Sequence, residues 1–153
     1  MPDSLTIAPT DARSDEALRI IQRMYDELNL LYHNDLDGSF RPLPFNRPGG
    51  VFLMAHDNGV AVGCAGIIPY DADTGEVKRV YVEPGYRGMG LSAALMAALE
   101  AHARDLGYKR LRLETGDLQP AAIRLYEKIG YERIPCYGHY TDNDDSVCFE
   151  KAL

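Results

Sequence analysis

The spacing of apolar residues changes along the chain, and the changes mark out the elements. Residues 4–8 (SLTIA) predict a short first strand. From Ser14 to Leu31 a helix is expected, because Leu18, Ile21, Tyr25 and Leu28 recur at helical spacing and Asp15 and Glu16 suit a first turn. The segment HNDLDGSFRPLPFNRPGG, rich in proline and glycine, predicts a long loop of the kind that serves as a lid or mobile segment. Residues 51–56 (VFLMAH) and 60–68 (VAVGCAGII) flank Asn58-Gly59, a strong signal for a two-residue hairpin turn. A second turn, PYDADTG, leads into a strand at about Glu76–Val82. To this point the chain reads as an antiparallel meander.

The period then becomes helical. A helix is expected from Gly90 to Leu106, with Leu91, Leu95, Leu99, His102 and Leu106 on one face. It ends in Gly107-Tyr108, where glycine suits a left-handed C-terminal cap. A strand follows at 110–115 (RLRLET). Pro120 fits the first turn of another helix, 120–129, which ends alike in Gly130-Tyr131. Two short strands, near 131–135 and 146–151, enclose the loop CYGHYTDNDD. Strand–helix–strand units require a parallel pair in the second half of the sheet. The expected fold is therefore a single α/β domain with a mixed, mostly antiparallel sheet flanked by helices.

Composition narrows what such a domain does. A chain of 153 residues, 46% hydrophobic, supports one sizeable core. The net charge of -7 argues against sequence-independent nucleic-acid binding, which needs a basic face, and is mildly compatible with a cationic substrate such as an amine. No apolar run reaches the length of a membrane span, and the N-terminus has neither the basic nor the apolar region of a signal peptide. A cytoplasmic protein without a membrane partner is expected. Cys64, Cys136 and Cys148 have no metal-ligand spacing and read as buried or incidental thiols of a reducing compartment. Nothing in the sequence places His33, His56, His102 or His139 beside one of them.

The sharpest motif is Arg87-Gly88-Met89-Gly90-Leu91-Ser92, between a strand and a helix. A helix N-terminus carries unpaired N–H groups and partial positive charge, and glycines let several N–H groups converge on one anion. A pyrophosphate is the natural guest. Small residues after the turn, Ser92, Ala93, Ala94, Ala97 and Ala98, let the helix lie close to the sheet. Two rival readings exist. The turn could merely start a helix. Gly88-x-Gly90-x-x-Ala93 also matches a dinucleotide fingerprint, with Glu114 ending the next strand, and would then serve a nicotinamide-dependent oxidoreductase. Against this, Glu83 to Arg87 separate the strand from the first glycine, the motif follows a meander, and too little chain remains to complete a doubly wound sheet.

The motif resembles the Arg/Gln-x-x-Gly-x-Gly/Ala segment of the GNAT acetyltransferases. VKRVYVEPGYRG before it is similar to a further family segment, and QPAAIRLYEKIGY resembles the family's Asn-x-x-Ala-x-x-x-Tyr-Glu-Lys-x-Gly-Phe. The resemblance covers residues 51–135 well. Ser92 replaces the last Gly/Ala, and Gln119 stands where the family has Asn. The resemblance implies a sheet whose fourth and fifth strands splay apart, with the pantetheine arm of acetyl-CoA pairing with the backbone of Val80, Tyr81 and Val82. It implies that Arg87, Gly88, Met89, Gly90, Leu91, Ser92 and Ala93 hold the pyrophosphate, and that Gln119 and Tyr126 also approach the cofactor.

Tyr126 aligns with the family tyrosine that approaches the cofactor sulfur. A phenol of pKa ~10 donating to a thiolate of pKa ~8.5 works uphill by about 2 kcal/mol, so its acid role is helpful and dispensable. The bland reading of Tyr126 is an aromatic on a core face beside Ile123 and Ile129. Glu76 begins the strand leading to the turn and is a candidate base, directly or through water. It reads nearly as well as a solvent-facing residue. Glu114 and Asp117 are weaker candidates. Arg124 and Lys128 read better as a solvated helix face than as phosphate ligands. Tyr137, His139 and Tyr140 could wall an acceptor pocket, form a contact with a second copy, or sit in an ordinary loop. Asp142, Asp144 and Asp145 lack a metal-ligand pattern, and no metal is expected. The expected activity is transfer of an acetyl group from acetyl-CoA to a primary amine, directly in a ternary complex. A non-catalytic acyl-CoA-binding module is the main alternative, and a homodimer stays open.

Overall fold

The computed structural model describes residues 1–34 and 43–153; residues 35–42, inside the long loop expected at 33–50, lie outside the described residues. The chain forms β1 (Leu5–Pro9), α1 (Asp15–Tyr32), β2 (Val51–Asp57), β3 (Val60–Pro69), β4 (Thr74–Val82), α2 (Leu91–Asp105), β5 (Arg110–Gly116), α3 (Pro120–Lys128), β6 (Glu132–Ile134) and β7 (Ser146–Ala152). The seven strands make one sheet in the order β1-β2-β3-β4-β5-β7-β6. Among the described residues only β4 and β5 run parallel, which is the mixed, mostly antiparallel α/β architecture expected.

Local chemistry sets the turns. Asn58 (φ 48°) and Gly59 (φ 81°) are both left-handed, as the tight hairpin between β2 and β3 demands. Ser14 caps α1 by accepting from the Ala17 amide at 3.2 Å. The helices α2 and α3 stop by the same device. Tyr108 N–H donates to Ala103 O at 3.0 Å and Tyr131 N–H to Tyr126 O at 2.9 Å, each across a left-handed glycine.

One face of the sheet packs on α2 and α3, through Leu91, Leu95, Leu99, Ala103 and Tyr126 against Leu53, Ile67, Val77, Leu111 and Phe149. The other face packs on α1 through Ala17, Ile20, Ile21 and Met24. That stripe differs from the expected one. Leu18 is 44% exposed, and Tyr25 and Leu28 are only half-buried. Ile21 is buried as expected and Tyr25 and Leu28 pack against the same cluster, so of the expected stripe Leu18 turns outward and Ala17, Ile20 and Met24 complete the packed face. At the end of α2, Leu106 is the exposed cap residue and Ala103 stands in the packed face.

Two further expectations change. Within the long loop, the described residues 43–50 are held down, not lid-like. Phe45 is 2% exposed, 5.2 Å from Phe52, and lies over Gly66, where a Cβ would come within 2.3 Å of its ring. The cysteines are not three incidental thiols. Cys136 and Cys148 form a disulfide, with Cα atoms 5.2 Å apart, and Cys64 alone stays free. The pairing of β6 with β7 brings the two together, a long-range register that spacing in the chain does not reveal.

Candidate active site

β4 and β5 pair only through Thr74↔Arg110, Gly75↔Leu111 and Glu76↔Arg112. Beyond that each strand follows its outer neighbour, β4 staying on β3 and β5 on β7. A register shift in the β3–β4 ladder, with Arg79 at φ 58°, bends β4 where the gap opens. The edge of β4 from Val77 to Val82 thus has no strand on its β5 side. A cavity of about 840 Å³ occupies the gap. Val80, Tyr81 and Val82 line it, as do Gly88, Gly90, Leu91, Ser92 and Ala93 at one end and Gln119 and Tyr126 on the wall.

The glycine turn has the form that an anion site requires. Gly88 (φ 77°) and Gly90 (φ 87°) are left-handed, and a Cβ at either would meet nothing within 4 Å. The turn faces open space. The first helical bond of α2 runs from Ala94 N–H to Gly90 O at 3.0 Å, so the amides before it have no helical acceptor. Residues and geometry fit a pyrophosphate. Met89 is 37% exposed and is not part of the cavity wall. The Arg87 side chain braces the turn. Its guanidinium makes two 2.7 Å bonds to the Glu27 carboxylate of α1, and its Nε donates to Val82 O at 2.9 Å. That pairing holds Glu27 below the usual carboxylate range.

Tyr126 is buried among Tyr131 and Phe149, with ring centroids at 5.8 and 5.9 Å, and also lines the cavity. It is thus both a core aromatic and part of the cavity wall. Burial pushes its hydroxyl well above the ordinary phenol value, which makes it a weaker acid than a free phenol.

On the α1 face the walls become polar. Glu76 is 8% exposed and accepts from the Tyr137 hydroxyl at 3.0 Å, with Lys78 Nζ 3.7 Å away. It lies behind the cavity wall, whereas Lys78, Glu114 and Tyr140 are on it. Lys78 donates to the Tyr140 hydroxyl and sits 5.0 Å from that ring. Burial works against its ammonium, but the Tyr140 hydroxyl and the Glu76 carboxylate outweigh this and hold its pKa above the ordinary lysine value. Glu114 accepts from Ser146 Oγ at 2.6 Å. Arg112 stacks on Tyr70 and Tyr137 at 4.6 and 4.8 Å and pairs with Glu150 at 2.6 Å. Tyr140 thus lines the cavity, while Tyr137 is off its wall and bonds Glu76. His139 stacks on Tyr140 at 4.0 Å outside the cavity. Asp117 and Arg124 are exposed and off the wall, while Lys128 reaches its edge. Among the described residues no acidic, His or Cys cluster could hold a metal.

Sequence reasoning missed Lys78 and Glu27. Lys78 follows Glu76 by two residues on one strand and so shares its face, a signal that was present. Glu27 on α1 gave none, because only the packing of that helix brings it to Arg87.

A sheet split between two strands, with a glycine turn at a helix N-terminus at one end of the gap, suits a protein that binds an extended, phosphate-bearing ligand. Comparison with known proteins places the chain further. Residues 17–131 match the acetyltransferase (GNAT) family, and the chain belongs to that family of acyltransferase enzymes. It is 33% identical, over 100% of both chains, to a protein of Azospirillum brasilense named IAA acetyltransferase. Its fold matches that of a Klebsiella pneumoniae protein described as an acyl-CoA N-acyltransferase, with a TM-score of 0.83, 36% identity and 97% of each chain covered. A GNAT family acetyltransferase of Elizabethkingia anophelis, solved with acetyl-CoA bound, shares the fold at a TM-score of 0.72 and 19% identity, over 99% of this chain and 100% of that one. The single parallel pair and the mid-sheet gap leave no place for the doubly wound sheet of the oxidoreductase alternative. No helix among the described residues is long and apolar enough to cross a membrane.

Proposed function

We propose that the protein transfers an acetyl group from acetyl-CoA directly to a primary amine, with both substrates bound at once. The observation that carries this is the continuity of one cavity from the turn at Gly88–Ala93, along the open edge of β4, to Lys78, Glu114 and Tyr140. The turn amides bind the pyrophosphate, with Gly88 and Gly90 giving it access. The backbone of Val80 to Val82 takes the place of a strand partner for the pantetheine arm, and Gln119 borders it.

At the far end a carboxylate must accept the ammonium proton so that the nitrogen lone pair is free. Glu114 is favoured over Glu76 for this step, because Glu114 lines the cavity while Glu76 lies behind Lys78 and Tyr137 and positions both. The amine nitrogen bonds to the thioester carbonyl carbon and gives up its second surplus proton to water, the carbon–sulfur bond breaks, and the sulfur leaves with a proton from Tyr126 or water.

Steady-state thiol release over a panel of amines tests the reading. Intersecting initial-rate patterns in acetyl-CoA and amine are expected from direct transfer. Parallel lines would overturn it in favour of an acetyl-enzyme. Tight acetyl-CoA binding without amine-dependent thiol release would leave the non-catalytic module.

A further inference from the structure

The acceptor end of the cavity carries a cation that an enzyme for simple amines would not place there. Lys78 lies on the wall, in the same cavity as Glu114 and Tyr140. An ammonium has three donors. One goes to the Tyr140 hydroxyl and one side of the group faces Glu76 at 3.7 Å, which leaves a donor toward the cavity. Because the Tyr140 oxygen accepts from Lys78, its own proton is also free to be donated. Lys78 and Tyr140 together form a two-donor anion site.

Glu114 is the complementary group. It lies on the next strand across the gap, with one carboxylate oxygen taken by Ser146. The wall thus offers a positive subsite and a negative subsite on neighbouring strands. The roof is apolar. α1 crosses over the gap, tied to the end of β4 by the pairing of Arg23 with Glu83 and to the end of β5 by the Tyr32 hydroxyl, which accepts from Leu118 N–H at 3.1 Å. It presents Met24, Leu28 and Leu31 to the cavity.

We infer that the acceptor is an amino acid with an apolar side chain, its carboxylate on Lys78 and Tyr140, its ammonium on Glu114 and its side chain against α1. The inference rests on the proposed acetyltransfer and names the substrate class for that site.

Matched acceptors test it. Leucine, isoamylamine and leucinamide form one set, and phenylalanine, phenethylamine and phenylalaninamide another, each assayed by thiol release. The free amino acid should exceed both partners by about 10-fold or more in kcat/KM, the scale of a hydrogen bond to a charged group. Lys78→Met should collapse that ratio to within about 3-fold, Tyr140→Phe should reduce it, and Lys78→Arg should keep it. Calorimetry with acetyl-CoA shows that each variant is folded. Equal or better turnover of the amine or amide overturns the inference while the acetyltransferase reading stands. So does a ratio that survives Lys78→Met. No thiol release with any amine overturns both.

Discussion

At Gly90 two physical demands meet. Its φ of 87° is left-handed, and the space before it is open. Alanine there costs about 1 kcal/mol of backbone strain in the free protein and meets no neighbour. It does project a methyl group into the approach of a phosphate. Gly90→Ala should therefore lower the melting temperature by only a few degrees, while calorimetry shows a loss of acetyl-CoA affinity of 10-fold or more. Unchanged affinity would remove the turn from the binding site. Tyr126 meets opposite demands, since the burial that packs its ring also weakens it as an acid. Tyr126→Phe keeps the contacts with Tyr131 and Phe149. We expect kcat to fall by about 10-fold, the low end for a positioned acid, with acetyl-CoA affinity little changed. A wild-type kcat would make Tyr126 a packing residue only. The two glutamates separate by position. Glu114→Gln should cut kcat by about 100-fold or more, with partial recovery at higher pH where more of the amine is neutral. Glu76→Gln should act more on the acceptor KM, through Lys78 and Tyr137. The reverse pattern would return the base to Glu76.

At the scale of elements, α1 links the two halves of the site. Its Glu27 holds Arg87, which braces the glycine turn, and its last turns roof the proposed acceptor end of the cavity. The pair is about half exposed, so its contribution to stability is small, under about 1 kcal/mol. Its value lies in placement. Glu27→Ala should leave the melting temperature within about 2 °C yet raise the acceptor KM several-fold, because the roof is no longer fixed over the gap. An acceptor KM that does not move would show that α1 needs no tie to the turn. The same helix shows where pattern reading stops. Its existence, cap and length follow from Ser14, the acidic first turn and the apolar period. The edge of its packed face does not, since Leu18 and Ala17 are both compatible with a buried stripe and the sheet surface chooses between them.

For the whole molecule, the titrating groups set the pH range of stability. Asp11, Glu27, Asp57 and Asp71 are held below their ordinary values by hydrogen bonds. A depressed carboxylate contributes stability above its unfolded pKa and loses it as pH falls through the folded value. Tyr81, Tyr108, Tyr126, Tyr131 and Tyr137 are raised, chiefly by burial, and Cys64 is pushed up to about 12 by the same cause. A raised group contributes stability below its unfolded pKa and loses it as pH rises. The melting temperature should be nearly flat from about pH 6 to 9, falling below about pH 4 and above about pH 10. Thermal melts across that range check this, and a decline beginning at pH 7 to 8 would contradict it.

What the chain determined by itself was local. The Asn58-Gly59 hairpin, the capped ends at Gly107 and Gly130, Pro120 opening α3 and the glycine turn before α2 each depend on the φ preferences and hydrogen bonds of a few neighbouring residues. Those preferences act wherever the segment sits. The similarity of the turn and of QPAAIRLYEKIGY to one family then carried the overall fold. Tertiary structure alone decided everything that depends on which distant strands meet. The β6–β7 register joins Cys136 to Cys148, and the crossing of α1 gives Arg87 a carboxylate partner. The divergence of β4 from β5 puts Glu114 on the cavity wall and Glu76 behind it. The charge of the proposed acceptor end belongs to this second group. Lys78, Glu114 and Tyr140 lie on three separate segments, and a pair interaction that falls off within a few ångströms has no signature until folding closes the distance between them.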